Sequence, residues 1–156
     1  MFSQKKKEKI VLQQFLKLLK LEYDSLKINT QCKEPSDIEY NNQGYQITTG
    51  GGSRFGEILS STKRYNILNV DNRVISGKPM KINDFLDRNL KPILIKKSQR
   101  SCSNVVLLIS LHLPDPFKED DRELMYMNFA NNNLKLLSCW QSVYCIYMNK
   151  KLIRLY

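Results

Sequence analysis

Apolar side chains recur at helical spacing near the start of the chain. Between residues 4 and 27 one stripe is apolar, and lysines occupy most of the remaining surface. This period predicts an amphipathic helix over residues 4–27. Glu8 lies four residues before Leu12 and therefore on the inward stripe, where a carboxylate is costly unless it is paired or binds a metal. A first-turn glutamate favoured by the helix dipole is the alternative explanation. The stripe consists of Leu12, Phe15, Leu16, Leu19, Tyr23 and Leu26.

Polar and apolar residues alternate over residues 34–48, on both sides of turn-forming residues at 41–44. This pattern predicts a β-hairpin, with Gly44 available for a positive φ. Because side chains in a strand repeat every two residues, each strand presents two oxygen-bearing side chains on one face. Four acceptors can thus converge, as a metal site requires, although an ordinary surface hairpin would show the same alternation. The four residues are Asp37, Glu39, Gln46 and Thr48.

The remaining pattern alternates strands with helices. It predicts a second hairpin over 58–76, a helix over 81–99 interrupted by Pro92, a buried strand over 104–113, a helix from 118 to 128, and a closing hairpin over 142–156. The expected fold class is α/β, with a central mixed β-sheet flanked by helices. At 156 residues and 42% hydrophobic content, the chain suits a single domain over 1–156.

Charge is distributed unevenly along the chain. The formal net charge is +10, and residues 1–30, 31–53, 54–100 and 101–156 carry +4, −2, +7 and +1. The only acidic segment is therefore the one that contains the first hairpin. A cation site that faces a polyanion needs this arrangement, although a charge run is also typical of a solvated surface.

Other residue types limit the class of protein. The four cysteines form no C-x-x-C pair, which predicts reduced, packing cysteines in an intracellular, cytoplasmic protein. No apolar run reaches the length of about 18 residues that a membrane span requires, and the lysine-rich start differs from a signal peptide. His112 is the only histidine, which disfavours an HNH or other histidine-based nuclease site.

The Pro35-x-Asp37 sequence, followed by a strand with polar residues at 46 and 48, resembles the PD-(D/E)XK signature of restriction-type nucleases. Gln46 matches the acidic position, as in the branch of homing endonucleases encoded by bacterial group I introns, and Thr48 matches the usual lysine. Many members also place a glutamate of the first helix at the metal site, and Glu8 resembles that residue. The order of predicted elements fits the restriction-endonuclease-like core of this superfamily.

This resemblance implies a Mg²⁺-dependent endonuclease of the homing or type II restriction class that cuts double-stranded DNA. The catalytic residues would be Glu8, Asp37, Gln46 and Thr48, with Asp37, Gln46 and Glu8 as metal ligands. Because Thr48 lacks the lysine charge, another basic residue must supply it; the candidates are Lys63, Lys81, Lys96 and Lys97. One site cuts one strand, so a double-strand break implies a homo-oligomer, a dimer or tetramer.

Basic residues after the first hairpin are the predicted DNA contacts. A basic ribbon can enter the major groove, where arginine reads guanine and lysine contacts phosphate. Two alternatives remain open: a non-catalytic basic nucleic-acid-binding module, and a structure-specific junction or repair nuclease. The predicted DNA-binding residues are Arg54, Lys63, Arg64, Arg73, Lys78 and Lys81.

Overall fold

Helices and strands alternate along the chain, as the sequence pattern predicts. The computed structural model of the protein describes residues 3–50, 74–75, 78–79, 85–100, 103–112, 117–148 and 150–156. Its helices are α1 (Gln4–Leu18), α2 (Phe85–Asn89), α3 (Lys91–Ser98), α4 (Glu119–Asn132) and α5 (Leu134–Leu137), with a 3₁₀ turn at Ser25–Lys27. Its strands are β1 (Ile28–Asn29), β2 (Ile38–Tyr40), β3 (Gln43–Gly50), β4 (Val74–Ile75), β5 (Lys78–Pro79), β6 (Val105–Leu111), β7 (Ser142–Tyr147) and β8 (Lys151–Arg154).

A mixed sheet organises the described residues. Its strand order is β1-β2-β3-β6-β7-β8, and β3, β6 and β7 run parallel to one another at the centre. The outer pairs β1/β2, β2/β3 and β7/β8 are antiparallel. With helices packed against this sheet, the predicted α/β fold class is confirmed.

Strand β6 is the centre of the core. All seven of its residues are buried, which confirms the predicted buried strand. Leu107 packs in a cluster with α2–α5, whereas Leu108 packs in a second cluster with α1. Both side chains are completely buried, and each contributes about 1.5–3 kcal/mol to folding. Alternation along one strand therefore produces two hydrophobic layers, one on each face of the sheet.

Helix α1 begins with a side-chain cap. The Ser3 hydroxyl accepts a hydrogen bond from the Lys6 amide at 3.3 Å, which satisfies one of the first free backbone donors. The helix buries its apolar face against β3, β6 and β8. The buried apolar residues are Val11, Leu12, Phe15 and Leu16.

The end of α1 differs from the sequence prediction. Lys20 adopts a φ of 59°, and the amides of Lys20 and Leu21 donate back into the last turn, the second of them to Leu16 O at 2.9 Å. This Schellman arrangement terminates the helix, so the predicted helix over residues 4–27 is too long. Leu26, placed on the inward stripe by its spacing, is 92% exposed.

The first predicted hairpin is confirmed as β2 and β3. Its turn consists of Asn41 and Asn42, whose φ values of 50° and 65° fit a two-residue type I′ turn. Gly44 lies in β3 instead of the turn, and a Cβ there would collide with Ser36 Oγ. Asparagine therefore supplies the left-handed backbone, and the glycine permits a close approach.

Three later predictions also hold in the described part of the chain. The helix expected over 81–99 is split into α2 and α3 around Leu90, with Pro92 in the first turn of α3. The charged start at residue 118 leads into α4, which extends to Asn132 instead of 128. The closing hairpin is confirmed by the antiparallel pairing of β7 with β8.

Two further expectations concern membrane-spanning segments and the state of the cysteines. None of the helices in the described ranges combines the length and apolar character that a membrane crossing needs. The cysteines that the structure describes, Cys32, Cys139 and Cys145, are free thiols. Burial strongly raises the pKa of Cys145, so this side chain packs as a neutral thiol in the core.

Candidate active site

Asp37 lies where β2 begins beside the longer strand β3. Its amide donates to Tyr45 O at 2.8 Å, and its carboxylate Oδ2 accepts from the Ile47 amide at 2.8 Å. The side chain therefore continues the backbone ladder past the end of β2. These two bonds fix a half-buried carboxylate at the fork between the strands.

Glu8 is the charged residue most deeply buried in α1. It is 4% exposed, and its Oε1 accepts from Gln4 Nε2 at 3.1 Å. Its Oε2 is buried without a hydrogen-bond partner. A buried acceptor that lacks a hydrogen bond costs roughly 1–3 kcal/mol, so this oxygen depends on an ionic partner. This burial confirms the inward position predicted for Glu8, and it differs from the alternative of an exposed glutamate in the first turn.

Lys5 connects Glu8 to Asp37. Its ammonium donates to Asp37 O at 2.6 Å and lies 3.4 Å from Glu8 Oε2, an ion-pair contact without hydrogen-bond geometry. The Lys5 side chain is about half exposed, at 51%. One ammonium therefore links the α1 carboxylate to the backbone of the aspartate that precedes β2, with solvent access from the lysine side.

Lys5 was not among the residues predicted from the sequence. The signal that points to it is local: it lies three residues before Glu8, where side chains on a helix are neighbours. Its contact with Asp37 joins residues 32 positions apart, which helical spacing cannot reveal.

Gln46 lies on the other face of the sheet. Its neighbours Tyr45 and Ile47 pack with α1, whereas Gln46 points to the opposite layer, where its Oε1 accepts from Trp140 Nε1 at 3.1 Å. The residue is only 3% exposed. The structure therefore does not bring Gln46 together with Glu8, and its predicted role as a metal ligand stays a prediction that must coexist with the indole bond.

Thr48 and Glu39, the other two residues of the predicted metal site, lie apart from each other. Thr48 is half-buried in β3 opposite Ile109 of β6, and by alternation it shares the face of Gln46. Glu39 lies across from Gly44 and accepts from Asn29 Nδ2 at 3.4 Å, at the outer edge of the sheet. The expected four-residue centre is thus reduced to Asp37, joined by Glu8 through Lys5.

Cys32 borders this site. Its thiol donates to Ser36 O at 3.2 Å. Burial raises the pKa of Cys32, and nearby Lys5 opposes that rise without overcoming it. The thiol therefore stays protonated at neutral pH and adds no charge to the carboxylates.

The predicted basic residues fall into three groups. Lys96 and Lys97 lie on α3, whose buried Leu94 packs in the layer opposite α1. Lys78, a predicted DNA contact, lies in β5, and the structure describes only its backbone. The others lie outside the described residues: Arg54, Lys63, Arg64, Arg73 and Lys81. Most of the predicted second hairpin over 58–76 lies there too.

His112 has a local partner. Its Nε2 lies 3.1 Å from the hydroxyl of Ser110, which is completely buried at the carboxyl end of β6. This contact gives His112 a structural role, and no role in the carboxylate site is needed to explain it.

The donor set can be tested for its fit to Mg²⁺. In the ranges that the structure describes, no three His, Cys, Asp or Glu side chains form a cluster. Magnesium is commonly bound by one or two carboxylates, with water and substrate phosphate completing the shell. Glu8, whose buried Oε2 lacks a hydrogen bond, and Asp37, whose carboxylate is oriented by the Ile47 amide, are two such carboxylates, and Lys5 links their elements.

Comparisons with protein-family models, with curated proteins and with solved structures found no match to this chain. The geometry of the described residues therefore carries the functional argument.

The Gln46–Trp140 bond makes a testable prediction about stability. Gln46→Leu should lower the free energy of unfolding by about 1–3 kcal/mol, because it leaves the buried indole N–H of Trp140 without an acceptor. Urea unfolding measures this change. The double variant Gln46→Leu/Trp140→Leu forms a cycle with both single variants, and the two losses should be less than additive. Strict additivity would contradict the bond.

Proposed function

We propose that this protein is a Mg²⁺-dependent endonuclease that hydrolyses double-stranded DNA at the site formed by Glu8, Lys5 and Asp37. The observation that carries this proposal is the buried Glu8 Oε2, which has no hydrogen-bond partner yet lies beside the lysine that contacts Asp37. Lys5 is the ionic partner of this oxygen at 3.4 Å, and a bound divalent cation would supply the ligation that it still lacks. The resemblance to the PD-(D/E)XK signature gives weaker support, because Gln46 and Thr48 differ from the acidic residue and the lysine of that signature.

Each residue has a distinct task in this proposal. Glu8 and Asp37 would hold Mg²⁺, which when bound supplies charge to the scissile phosphate and a more acidic water. Asp37 is oriented by the Ile47 amide, so little side-chain freedom is lost on binding. Lys5 holds the two elements together and presents an ammonium where negative charge develops on the phosphate, the task that Thr48 cannot perform.

The remaining parts of the proposal concern the substrate and the assembly. The net charge of +10 favours a polyanion, and it supports nucleic acid as the partner of an intracellular protein. One site per chain cuts one strand, so cleavage of both strands requires a homo-oligomer. Homing and type II restriction remain the proposed classes.

Plasmid cleavage by the wild-type protein and by Lys5→Met tests this function. Wild type should convert supercoiled DNA to nicked or linear DNA with Mg²⁺ and not with EDTA. Lys5→Met should cut about 100-fold more slowly, because it removes the cation beside the phosphate. Lys7→Met is the matched control, since it removes one exposed lysine of the same helix, and it should cut normally. Equal rates for the two variants would contradict the role of Lys5.

A non-catalytic DNA-binding module is the second candidate. The observation that favours it is the hydrogen bond between Gln46 and Trp140, which engages the side chain expected to complete the metal site. In this case wild type should bind DNA and leave plasmid intact under every metal condition. A structure-specific nuclease would instead cut branched DNA in preference to plasmid.

A further inference from the structure

A groove runs along the amino-terminal half of α1, beside the segment that follows β1. Its volume is about 460 Å³, within the range of roughly 300–1,000 Å³ that is typical of ligand clefts. Its lining contains three lysines and no acidic side chain. The lining residues are Ser3, Lys5, Lys6, Lys9, Ile10, Gln13 and Thr30.

The lysines of the groove follow from helical spacing. Lys5 and Lys9 are four residues apart, and Lys6, Lys9 and Gln13 are separated by three and four residues, so their side chains share one helix face. Thr30, from the segment that follows β1, also lines the groove. The groove therefore combines ammonium groups with hydroxyl and amide donors, the side-chain chemistry that contacts phosphate and sugar in nucleic-acid complexes.

Lys5 joins the groove to the candidate active site. It lines the groove and also contacts Glu8 Oε2 and Asp37 O. A phosphate next to Lys5 would thus lie at one end of a row of polar side chains that continues through the Lys9 ammonium to the Gln13 amide. Ile10, 37% exposed on the same face, offers an apolar contact for a sugar.

We propose that the groove formed by Ser3, Lys5, Lys6, Lys9, Gln13 and Thr30 binds the phosphodiester backbone of a nucleic-acid strand and leads it to the carboxylate site. Binding of the strand stands on the groove alone; that the same strand is cut rests on the proposed function. None of the basic residues predicted from the sequence as DNA contacts belongs to this groove.

Fluorescence anisotropy with a labelled DNA duplex, in EDTA and over a series of salt concentrations, tests the groove without cleavage. Lys6→Gln/Lys9→Gln should weaken binding about tenfold and reduce the slope of log affinity against log salt by about two. Lys7→Gln/Lys17→Gln removes the same charge from α1 outside the groove, and it should change affinity by no more than about twofold. Lys6→Arg/Lys9→Arg should retain binding, because arginine keeps both charges.

Several outcomes would overturn the proposal. Equal weakening by the two glutamine pairs would show that net charge alone governs binding, and unchanged binding by the groove pair would place the strand elsewhere. Binding of wild type to phosphatidylserine vesicles but not to DNA would assign the lysines to a membrane surface. Thermal unfolding confirms that each variant is folded. Wild type that binds through the groove yet never cuts would overturn the endonuclease and leave the groove intact.

Discussion

Asp37→Asn should reduce Mg²⁺-dependent cleavage at least about 100-fold while leaving DNA affinity within a few-fold of wild type. The asparagine oxygen can still accept from the Ile47 amide, so the fork between β2 and β3 should persist. The contact from Lys5 also persists, because it is made to the backbone oxygen of residue 37. The substitution thus removes negative charge from the proposed cation site and little else.

The matched control for Asp37→Asn is Glu39→Gln. Glu39 lies in β2, which Asp37 immediately precedes, but its carboxylate contacts Asn29 at the outer edge of the sheet. This variant removes one negative charge two residues away and should cut at the wild-type rate. Single-turnover cleavage on excess protein, with binding measured separately in EDTA, distinguishes the two effects. Wild-type cleavage by Asp37→Asn would show that the active site is elsewhere or that the protein is not a nuclease.

Glu8→Leu should raise stability and abolish cleavage. The wild-type carboxylate has a buried oxygen without a hydrogen-bond partner, and its neighbours one turn along the helix are Val11 and Leu12. Its ionic partner Lys5 is half exposed, so removal of Glu8 leaves a lysine that water can solvate. Replacement by an apolar residue should therefore increase the free energy of unfolding by about 1 kcal/mol. Cleavage should fall at least about 100-fold, because the proposed function makes Glu8 a metal ligand.

Urea unfolding and plasmid cleavage measure the two effects of Glu8→Leu, and Mg²⁺ provides a third readout. The wild-type unfolding midpoint should rise with Mg²⁺, since a ligand of the native state stabilises it, and the midpoint of Glu8→Leu should not. Glu22→Gln, at an exposed glutamate beyond α1, controls for loss of one negative charge. A purely structural Glu8 would give the opposite result: lower stability, with cleavage reduced only in proportion to the unfolded fraction.

Local sequence pattern predicted the elements that depend on neighbouring residues. The apolar run of β6 and its β-branched content indicated a central strand, because a strand buried on both faces needs no alternation. Pro92 lacks an amide donor and marked the separation of α2 from α3. The inward position of Glu8 followed from its spacing to Leu12 alone.

The same pattern failed where backbone conformation or distant contacts decide the result. The stripe on α1 continues in sequence to Leu26, but Lys20 takes a left-handed conformation that lysine rarely adopts, and the helix stops before it. Alternation correctly placed Gln46 and Thr48 on one face of β3. It could not show that the indole N–H of Trp140, 94 positions away, would donate a hydrogen bond to the Gln46 side-chain oxygen.

By itself the sequence determined the fold class, the burial of β6 and of Glu8, and the excess of positive charge, because periodicity and composition act over a few residues or over the whole chain. Only the tertiary structure placed Lys5 between Glu8 and Asp37, turned Gln46 toward Trp140 and aligned three lysines along one groove. Those arrangements depend on how α1 crosses the sheet, and the packing of two elements is set by contacts between residues far apart in the chain.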